Sequence, residues 1–258
     1  MFHPFHMVTL SPWPLYLSLN LLNFMMSSLL WMNFKDKFGF ISSLIVSLLI
    51  VYQWWRDVVR ESTFQGYHTR LVGSGLRLGM CLFIVSELFF FVSIFWCYFH
   101  SALSPSVEIG SSWPPENVKL FNPYGIPLLN TMILISSGFS ITWSHHSMLS
   151  GDMLDSAMGL MLTLLMGFWF SYFQVQEYKE AFFSFSDGIY GSVFYLATGF
   201  HGLHVFIGTV FLVINYCRLV NDHFKLEHHL GFEFSIWYWH FVDIVWLFLY
   251  MFVYWWVY

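Results

Sequence analysis

Residues 78–100 read LGMCLFIVSELFFFVSIFWCYFH, an apolar stretch with a single carboxyl group, that of Glu87. A membrane-spanning helix needs about 20 mostly apolar residues. With its extension back to Leu71 this stretch has roughly 30 residues, which at 1.5 Å per residue reach about 45 Å, so the helix must tilt or protrude. The stretch therefore predicts a membrane span and not the core of a soluble domain.

The composition of the whole chain leads to the same class of protein. Its 258 residues are 57% hydrophobic and 10% charged, with a mean hydropathy of +0.61, whereas soluble domains are about 25% charged. A net charge of −5 and scattered Lys and Arg residues exclude a basic surface for nucleic acid. The N-terminus resembles neither a secretory signal nor an Arg-rich presequence. We expect an integral membrane protein that reaches its membrane through its own spans or is made beside it.

Apolar segments separated by short polar ones predict an all-α polytopic protein, with residues 1–258 forming one integral membrane domain. The seven predicted spans are about 14–34, 38–55, 71–100, 126–148, 154–178, 188–219 and 231–258. The longest connection, Ser101 to Gly125, holds four prolines and is too polar to cross lipid. Six Lys and Arg residues on one side against four on the other favour an N-terminus inside.

Glu87 is the most costly polar residue of the predicted spans. It lies near the middle of the third span, with apolar neighbours on every side except Ser86. A carboxylate at that depth costs on the order of 3 kcal/mol or more, so we expect the side chain to face the helix bundle. Two interpretations follow: a proton-linked or carbodiimide-reactive carboxyl, or a protonated acid that is hydrogen-bonded to a neighbouring helix.

Histidines and cysteines in the spans raise the question of a haem or metal site. His201 and His204 lie three residues apart on one face of the sixth span. No Cys or Met stands beside a histidine in a recognisable copper pattern, and the glycines around His201 favour close helix packing. We expect interhelical hydrogen bonds rather than metal ligands. Cys81, Cys97 and Cys217 lack CxxC spacing and are expected to be buried free thiols.

Polar residues recur on one face of the seventh span. Glu233, Trp237 and His240 stand at positions i, i+4 and i+7, and Asp243 follows three residues later. The ring of His240 can bond the carboxylate of Asp243. Such a face must point into the protein, because lipid cannot satisfy it. We expect a buried polar network that includes the two histidines of the sixth span, with a proton relay as the alternative.

Two basic clusters flank the spans. Residues 52–68, YQWWRDVVRESTFQGYH, place two tryptophans of an interfacial belt directly before alternating charges. The loop between spans six and seven carries the second cluster, formed by Arg218, His223, Lys225, His228 and His229. The predicted topology puts both clusters on one side of the membrane. Such residues at headgroup depth suit an anionic phospholipid; an ordinary solvated loop is the alternative.

These motifs resemble those of the subunit III family of mitochondrial cytochrome c oxidases. The similar motifs are SPWP (11–14), YQWWRDVVRESTFQG (52–66), SE (86–87), SWPP (112–115), PLLNT (127–131), ITWSHHS (141–147), SDGIYGS (186–192), ATGFHGLHV (197–205) and WYWHFVDIVWLFLY (237–250). They occur in order, from the first turn to the last residue and without large gaps. The resemblance is therefore specific and covers the full length.

The resemblance implies a fold and a function. Family members have seven transmembrane helices in two bundles, I–II and III–VII, around a V-shaped cleft filled with phospholipids. The chain is then a non-redox core subunit of the proton-pumping complex that reduces oxygen to water with electrons from cytochrome c. Haem a, haem a3 and copper lie in partner subunits, and cytochrome c docks on the complex, not mainly on this chain. Implied partners are subunits I and II, small accessory subunits and phospholipids.

The resemblance also implies a supporting role, a location and individual residue roles. The subunit stabilises the catalytic core, sustains proton uptake and offers oxygen a route through its lipid cleft. It lies in the mitochondrial inner membrane, with its N-terminus in the matrix and its C-terminus in the intermembrane space. Glu87 matches the family's carbodiimide-reactive carboxyl. The lipid headgroup positions are matched by Trp55, Arg60, Glu61, His68, Arg218, His223 and His228.

One departure and two alternative functions remain. Relatives tend to have a lysine just after the position of Arg218, where this chain has Asn221 and Asp222, which weakens the positive pocket. A small seven-helix transporter or channel acting alone would also contain a buried glutamate, but we find no broken helices or inverted repeat. A redox-active subunit would need ligand histidines on several facing helices. No residue of this chain is expected to be catalytic.

Overall fold

The computed structural model describes residues 4–116 and 118–258, which form seven long α-helices. They are α1 (Trp13–Phe34), α2 (Phe38–Thr63), α3 (Arg70–Leu103), α4 (Ile126–Ser150), α5 (Met153–Glu180), α6 (Gly188–Val220) and α7 (Leu230–Leu249, continued by a π-helical segment Tyr250–Trp255). Each is long and apolar enough to cross a membrane. The predicted all-α fold with seven spanning helices is confirmed.

Two helices extend beyond an ordinary span. Residues 56–63, four of which are charged, continue α2 to Thr63, although the predicted span ends at Trp55. Helix α3 has 34 residues, which at 1.5 Å per residue make about 50 Å, far more than the hydrocarbon thickness of about 30 Å. Both helices therefore carry their charged ends into the headgroup region or beyond it.

The first of two compact units ends at Leu76 and contains α1 and α2, which pack against each other. Small residues lie at the contact: a Cβ built on Gly39 would lie 3.5 Å from Ser27 Oγ, an ordinary van der Waals distance. A polar contact links the helices, because Asn20 Nδ2 donates a hydrogen bond to the backbone carbonyl of Ser43 at 2.9 Å. This is the pattern of small and hydrogen-bonding residues that joins helices in lipid.

The second unit runs from Arg77 to Tyr258, and its closest helix pair is α4 with α5. A Cβ on Gly159 would lie only 2.9 Å from the Cβ of Ser144, so glycine is required for this approach. Ser140 Oγ and Thr163 Oγ1 hydrogen-bond across the pair at 2.8 Å. Small and hydroxyl residues thus bring these two helices together.

Two tryptophans of α7 form the centre of the second unit. Trp239 and Trp246 are fully buried, and each satisfies its indole N–H on α4. Trp239 Nε1 donates to Ser137 Oγ, and Trp246 Nε1 donates to Thr131 Oγ1, both at 2.9 Å. These bonds fix α7 against α4 and remove the cost of burying an indole N–H.

The three cysteines lie on helix faces that no other part of the described chain covers. Cys81, Cys97 and Cys217 are free but exposed, so the prediction that they are buried was wrong. Large apolar side chains such as Leu82 and Trp96 are exposed beside them. The apolar pattern of a membrane helix does not distinguish a face that meets another helix of the chain from a face that meets lipid or a partner.

Candidate functional site

Helices α3 and α6 bring Glu87 and His204 together. Glu87 Oε2 lies 2.9 Å from His204 Nε2, and His204 Nδ1 lies 2.6 Å from the backbone carbonyl oxygen of Phe200. A carbonyl only accepts hydrogen bonds, so Nδ1 carries a proton. The contact between Nε2 and Oε2 then holds one further proton, which resides on the imidazole or on the carboxyl. The pair is therefore a shared-proton pair within the apolar part of two spans.

Aromatic rings surround the histidine of this shared-proton pair. The side chain of His204 is 9% exposed and that of Glu87 is 26% exposed. The His204 ring packs edge-on against Phe91, with centroids 5.0 Å apart, and stacks with Tyr238 at 6.2 Å. Apolar walls strengthen the electrostatic interaction between the two partners. Glu87 itself remains partly accessible.

His201 lies on the same helix but in different surroundings. Its Nε2 lies 3.1 Å from the backbone carbonyl oxygen of Val242, and its ring packs between Phe170 and Trp246. The side chain is fully buried. His201 therefore links α6 to α7 and makes no contact with the carboxyl of Glu87 among the hydrogen bonds of the described residues.

Glu233 pairs with a residue that sequence reasoning did not single out. Arg77 Nε lies 3.3 Å from Glu233 Oε2, which joins the start of α3 to the start of α7. In the sequence, Arg77 is one of the six Lys and Arg residues that favour an inside N-terminus. Nothing in its local pattern indicates a partner 156 residues away.

His240 and Asp243 form a contact of their own on α7. His240 Nδ1 lies 3.6 Å from Asp243 Oδ2, and its Nε2 lies 3.4 Å from Thr142 Oγ1 on α4. Gly138 makes room for this group, because a Cβ there would lie 3.0 Å from Asp243 Oδ2. Among the hydrogen bonds of the described residues, none joins this contact to Glu233 or to the Glu87–His204 pair. The predicted polar residues thus occupy separate interhelical contacts.

In the first unit, the charged end of α2 contacts the first residue of α1. Asp57 accepts a hydrogen bond from Trp13 Nε1 at 2.6 Å and lies 3.8 Å from Arg60 Nη1. Trp55 is exposed on the same helix. The arrangement holds the start of α1 against α2 and leaves Arg60, also exposed, available for a ligand.

Glu61 and His68 meet at a histidine of the N-terminal segment. Glu61 Oε2 lies 3.3 Å from His6 Nε2. The rings of His6 and His68 contact each other edge-on, with centroids 6.3 Å apart. Two predicted headgroup residues are thus brought together, through a third residue that the motif comparison did not name.

In the second unit, Arg218 is a largely buried cation. Its guanidinium lies 4.5 Å from the ring centroid of Phe224, and a Cβ on Gly231 would overlap its Nη1 atom. No carboxylate in the described part of the chain pairs with it, and its Nε makes no hydrogen bond. The backbone N–H of His223 donates to the Arg218 carbonyl at 3.0 Å. Burial lowers the pKa of His228, and the charge of Arg218 lowers it further.

Within residues 4–116 and 118–258, no three His, Cys, Asp or Glu side chains are arranged to hold a metal ion. The features together define a multi-pass, all-α membrane protein in which ionisable side chains pair between helices.

Comparison with known proteins identifies the particular family. A family model described as Cytochrome c oxidase subunit III matches residues 3–258. Similar relatives include the cytochrome c oxidase subunit 3 proteins of Anopheles gambiae and Drosophila melanogaster, each 52% identical over 98% of this chain and 97% of the relative. The protein of Equus caballus is 50% identical over the same shares. The chain belongs to the cytochrome c oxidase subunit III family and is a subunit of that oxidase, which confirms the predicted resemblance.

Proposed function

We propose that this chain supports the catalytic core of a mitochondrial cytochrome c oxidase without carrying redox centres itself. Subunits I and II hold haem a, haem a3 and copper in this proposal, and cytochrome c docks on the complex, not mainly on this chain. The observation that carries the proposal is the match over residues 3–258 to subunit III, together with relatives at about 50% identity. Small accessory subunits complete the assembly.

Native electrophoresis of membranes in mild detergent tests this assignment. An antibody locates the chain, and the same band is scanned for haem absorption and for oxidation of cytochrome c. We expect the chain to co-migrate with an active, haem-containing band. A band that runs alone and lacks haem would contradict the proposal and return attention to a transporter, for which flux assays come next.

The shared-proton pair supports a role in sustained proton uptake. Glu87 and His204 hold one proton between them at 2.9 Å, inside two spans and partly accessible. An ionisable group at membrane depth is costly to keep, and such groups commonly belong to proton pathways. In this proposal the pair maintains proton supply to the catalytic subunit during turnover and takes no part in electron transfer.

The variant Glu87→Gln tests whether the pair serves proton supply and not electron transfer. We expect assembly, the haem spectrum and oxygen reduction to remain largely intact, whereas proton uptake declines sooner during prolonged turnover. Ser86→Ala is the matched control, because the hydroxyl of the exposed Ser86 has, among the described residues, its one hydrogen bond with the Phe83 carbonyl of the same helix. Loss of the haem spectrum in Glu87→Gln would contradict the non-redox role, and unchanged proton uptake would contradict the proton role.

The two basic clusters support binding of anionic phospholipid headgroups. Arg218 is the strongest element, because it is largely buried and has no carboxylate partner in the described chain. Such a cation is expected to take an anionic ligand. Arg60 extends from the end of α2, at the position expected for the interface. The bound lipids also offer oxygen a route toward the catalytic subunit.

Replacing both Arg60 and Arg218 by Ala tests the lipid assignment. We expect less phospholipid to co-purify with the complex and faster inactivation during turnover. Lys35→Ala with Lys37→Ala is the charge-matched control, because these exposed lysines lie at the turn between α1 and α2. Equal lipid content by mass spectrometry in the two double variants would contradict the assignment.

The proposed location is the mitochondrial inner membrane, with the N-terminus in the matrix and the C-terminus in the intermembrane space. The charge distribution supports this orientation, with six Lys and Arg residues on the proposed matrix side and four on the other. Protease accessibility of terminal tags in mitoplasts tests it. Cleavage of an N-terminal tag from the intermembrane side would contradict it.

A further inference from the structure

Helix α1 carries three asparagines, and they differ in what their amide groups contact. Asn20 Nδ2 donates to the Ser43 carbonyl of α2 at 2.9 Å. Asn33, at the end of α1, donates to the Leu29 carbonyl of its own helix, also at 2.9 Å. The exposed side chain of Asn23 makes no hydrogen bond with any other described residue. Its amide is therefore the one of the three that this chain leaves unsatisfied.

Asn23 lies at the middle of its span, far from both interfaces. Helix α1 runs from Trp13 to Phe34, and Asn23 is the eleventh of its 22 residues. At 1.5 Å per residue the amide is about 15 Å along the axis from either end, which is the centre of a hydrocarbon layer about 30 Å thick. Lipid tails offer no hydrogen bonds there, and an asparagine side chain is too short to reach the headgroups. We therefore expect the partner of this amide to come from protein.

The same asparagine lines a groove between α1 and α2. The groove has a volume of about 480 Å³ and is lined by Tyr16, Leu19, Asn20 and Asn23 of α1 and by Val46 and Ile50 of α2. The four residues of α1 stand at positions i, i+3, i+4 and i+7, so they share one face of the helix. The volume far exceeds the roughly 30 Å³ of a water molecule. Tyr16, Leu19 and Val46 are exposed beside it, so the groove is open to a neighbouring molecule in the membrane.

We propose that a transmembrane helix of a partner protein binds in this groove and places a hydrogen-bonding side chain opposite Asn23. The groove between two packed helices accepts the side chains of a third helix. Hydrogen bonds between polar side chains are a usual contact between helices in lipid. A phospholipid chain would fill the groove but would leave the amide of Asn23 unsatisfied. Under the function proposed above, the partner protein is another subunit of the oxidase.

Crosslinking with photo-leucine in intact membranes identifies what occupies the groove. The chain is labelled during its synthesis, the membranes are illuminated, and fragment mass spectra assign each crosslink to a position. Leu19 lines the groove. Leu21 is the internal control, because it is exposed two residues later, on the opposite face of α1. We expect Leu19 to crosslink to a membrane-spanning peptide of another protein, in higher yield than Leu21.

The identity of the crosslinked molecule separates this proposal from the function proposed above. Crosslinks of Leu19 to phospholipid alone, or to a second copy of this chain, would overturn the proposal, and so would equal yields from Leu19 and Leu21. A crosslink to a spanning helix of a protein that is absent from the haem-containing band would support binding in the groove. That result would contradict the assignment to the oxidase complex.

The variant Asn23→Val tests the hydrogen bond itself, because it removes the amide and keeps a similar volume. Asn33→Val is the matched control, since Asn33 bonds to a carbonyl of its own helix. One interhelical hydrogen bond in lipid corresponds to roughly a threefold to tenfold change in an equilibrium constant. We expect the yield of the Leu19 crosslink to fall by about that factor in Asn23→Val and to stay unchanged in Asn33→Val. Equal yields in the two variants would show that Asn23 does not hold the partner helix.

Discussion

Gly167 on α5 provides a direct test of how the second unit packs. A Cβ at this position would lie 2.7 Å from Thr209 Cγ2 on α6 and 2.9 Å from Trp239 Cη2 on α7. Favourable contacts between carbon atoms are at about 3.5–4.0 Å. Three helices thus meet at a point where a single methyl group does not fit. We therefore expect Gly167→Ala to destabilise this unit.

The magnitude follows from how little the neighbours can move. Trp239 is fully buried and is fixed by its hydrogen bond to Ser137, so it cannot rotate away from the new methyl group. Overpacking of this kind costs about 1–3 kcal/mol. Replacing glycine by alanine inside a helix regains roughly 0.5–1 kcal/mol. We expect a net destabilisation of about 1 kcal/mol, and no more than about 2.5 kcal/mol.

Retention of the subunit during heating measures this effect. Purified complex is heated in steps, and the fraction of this chain that still co-migrates with haem is determined on native gels. Gly199→Ala on α6 is the matched control, because no atom lies within 4 Å of the position that its methyl group would take. We expect Gly167→Ala to dissociate at a lower temperature, while Gly199→Ala matches the native chain. Equal dissociation temperatures for both variants would refute the packing argument.

Two further predictions concern the basic cluster of the second unit. Gly231→Ala places a methyl group where Arg218 Nη1 lies, so we expect the guanidinium to move and less anionic phospholipid to co-purify; Gly202→Ala, where nothing lies within 4 Å, is the control. Burial lowers the pKa of His228 below its ordinary 6.5. Below pH 6.5 the unfolded chain therefore binds a proton that the folded chain does not, so the folded state loses stability as the pH is lowered. We expect His228→Gln to lose less thermal stability than the native chain between about pH 7.5 and 5.5; an equal loss would contradict this assignment.

The sequence predicted the helices well because membrane insertion leaves a local signal. A run such as residues 78–100 indicates a span without any knowledge of its neighbours. The end of α2 was less predictable, because Asp57, Arg60 and Glu61 are typical of a loop after a span. In the structure they continue the helix, and Asp57 contacts both Arg60 and Trp13. An apolar run indicates which residues lie in lipid, but it does not indicate the residue at which the helix ends.

Only part of the candidate site could be predicted from the sequence. Glu87 is conspicuous because it is a lone carboxyl in an apolar run, but its partner His204 is 117 residues away. Glu177, a carboxyl group that is buried near the end of α5, was missed for the opposite reason. It lies in FQVQEYKE, where a span approaches the interface and polar residues are expected, so nothing in the pattern indicates that its side chain is 1% exposed. Burial of a polar group at a helix end depends on which helices surround it, and that is a property of the tertiary fold.

The contrast between the two compact units bears on why this chain acts within a complex. Ser27 is the only buried residue of α1 and Ser43 the only one of α2 among the described residues, whereas α7 buries two tryptophans and much of its length. In lipid the hydrophobic effect does not drive helices together, and an interhelical hydrogen bond contributes only about 1–2 kcal/mol at most. The bonds from Asn20 to Ser43 and from Trp13 to Asp57 therefore provide limited cohesion for the first unit. In the function proposed above, lipid and partner subunits hold its helices in a fixed arrangement, and we therefore expect loss of bound lipid to affect this unit first.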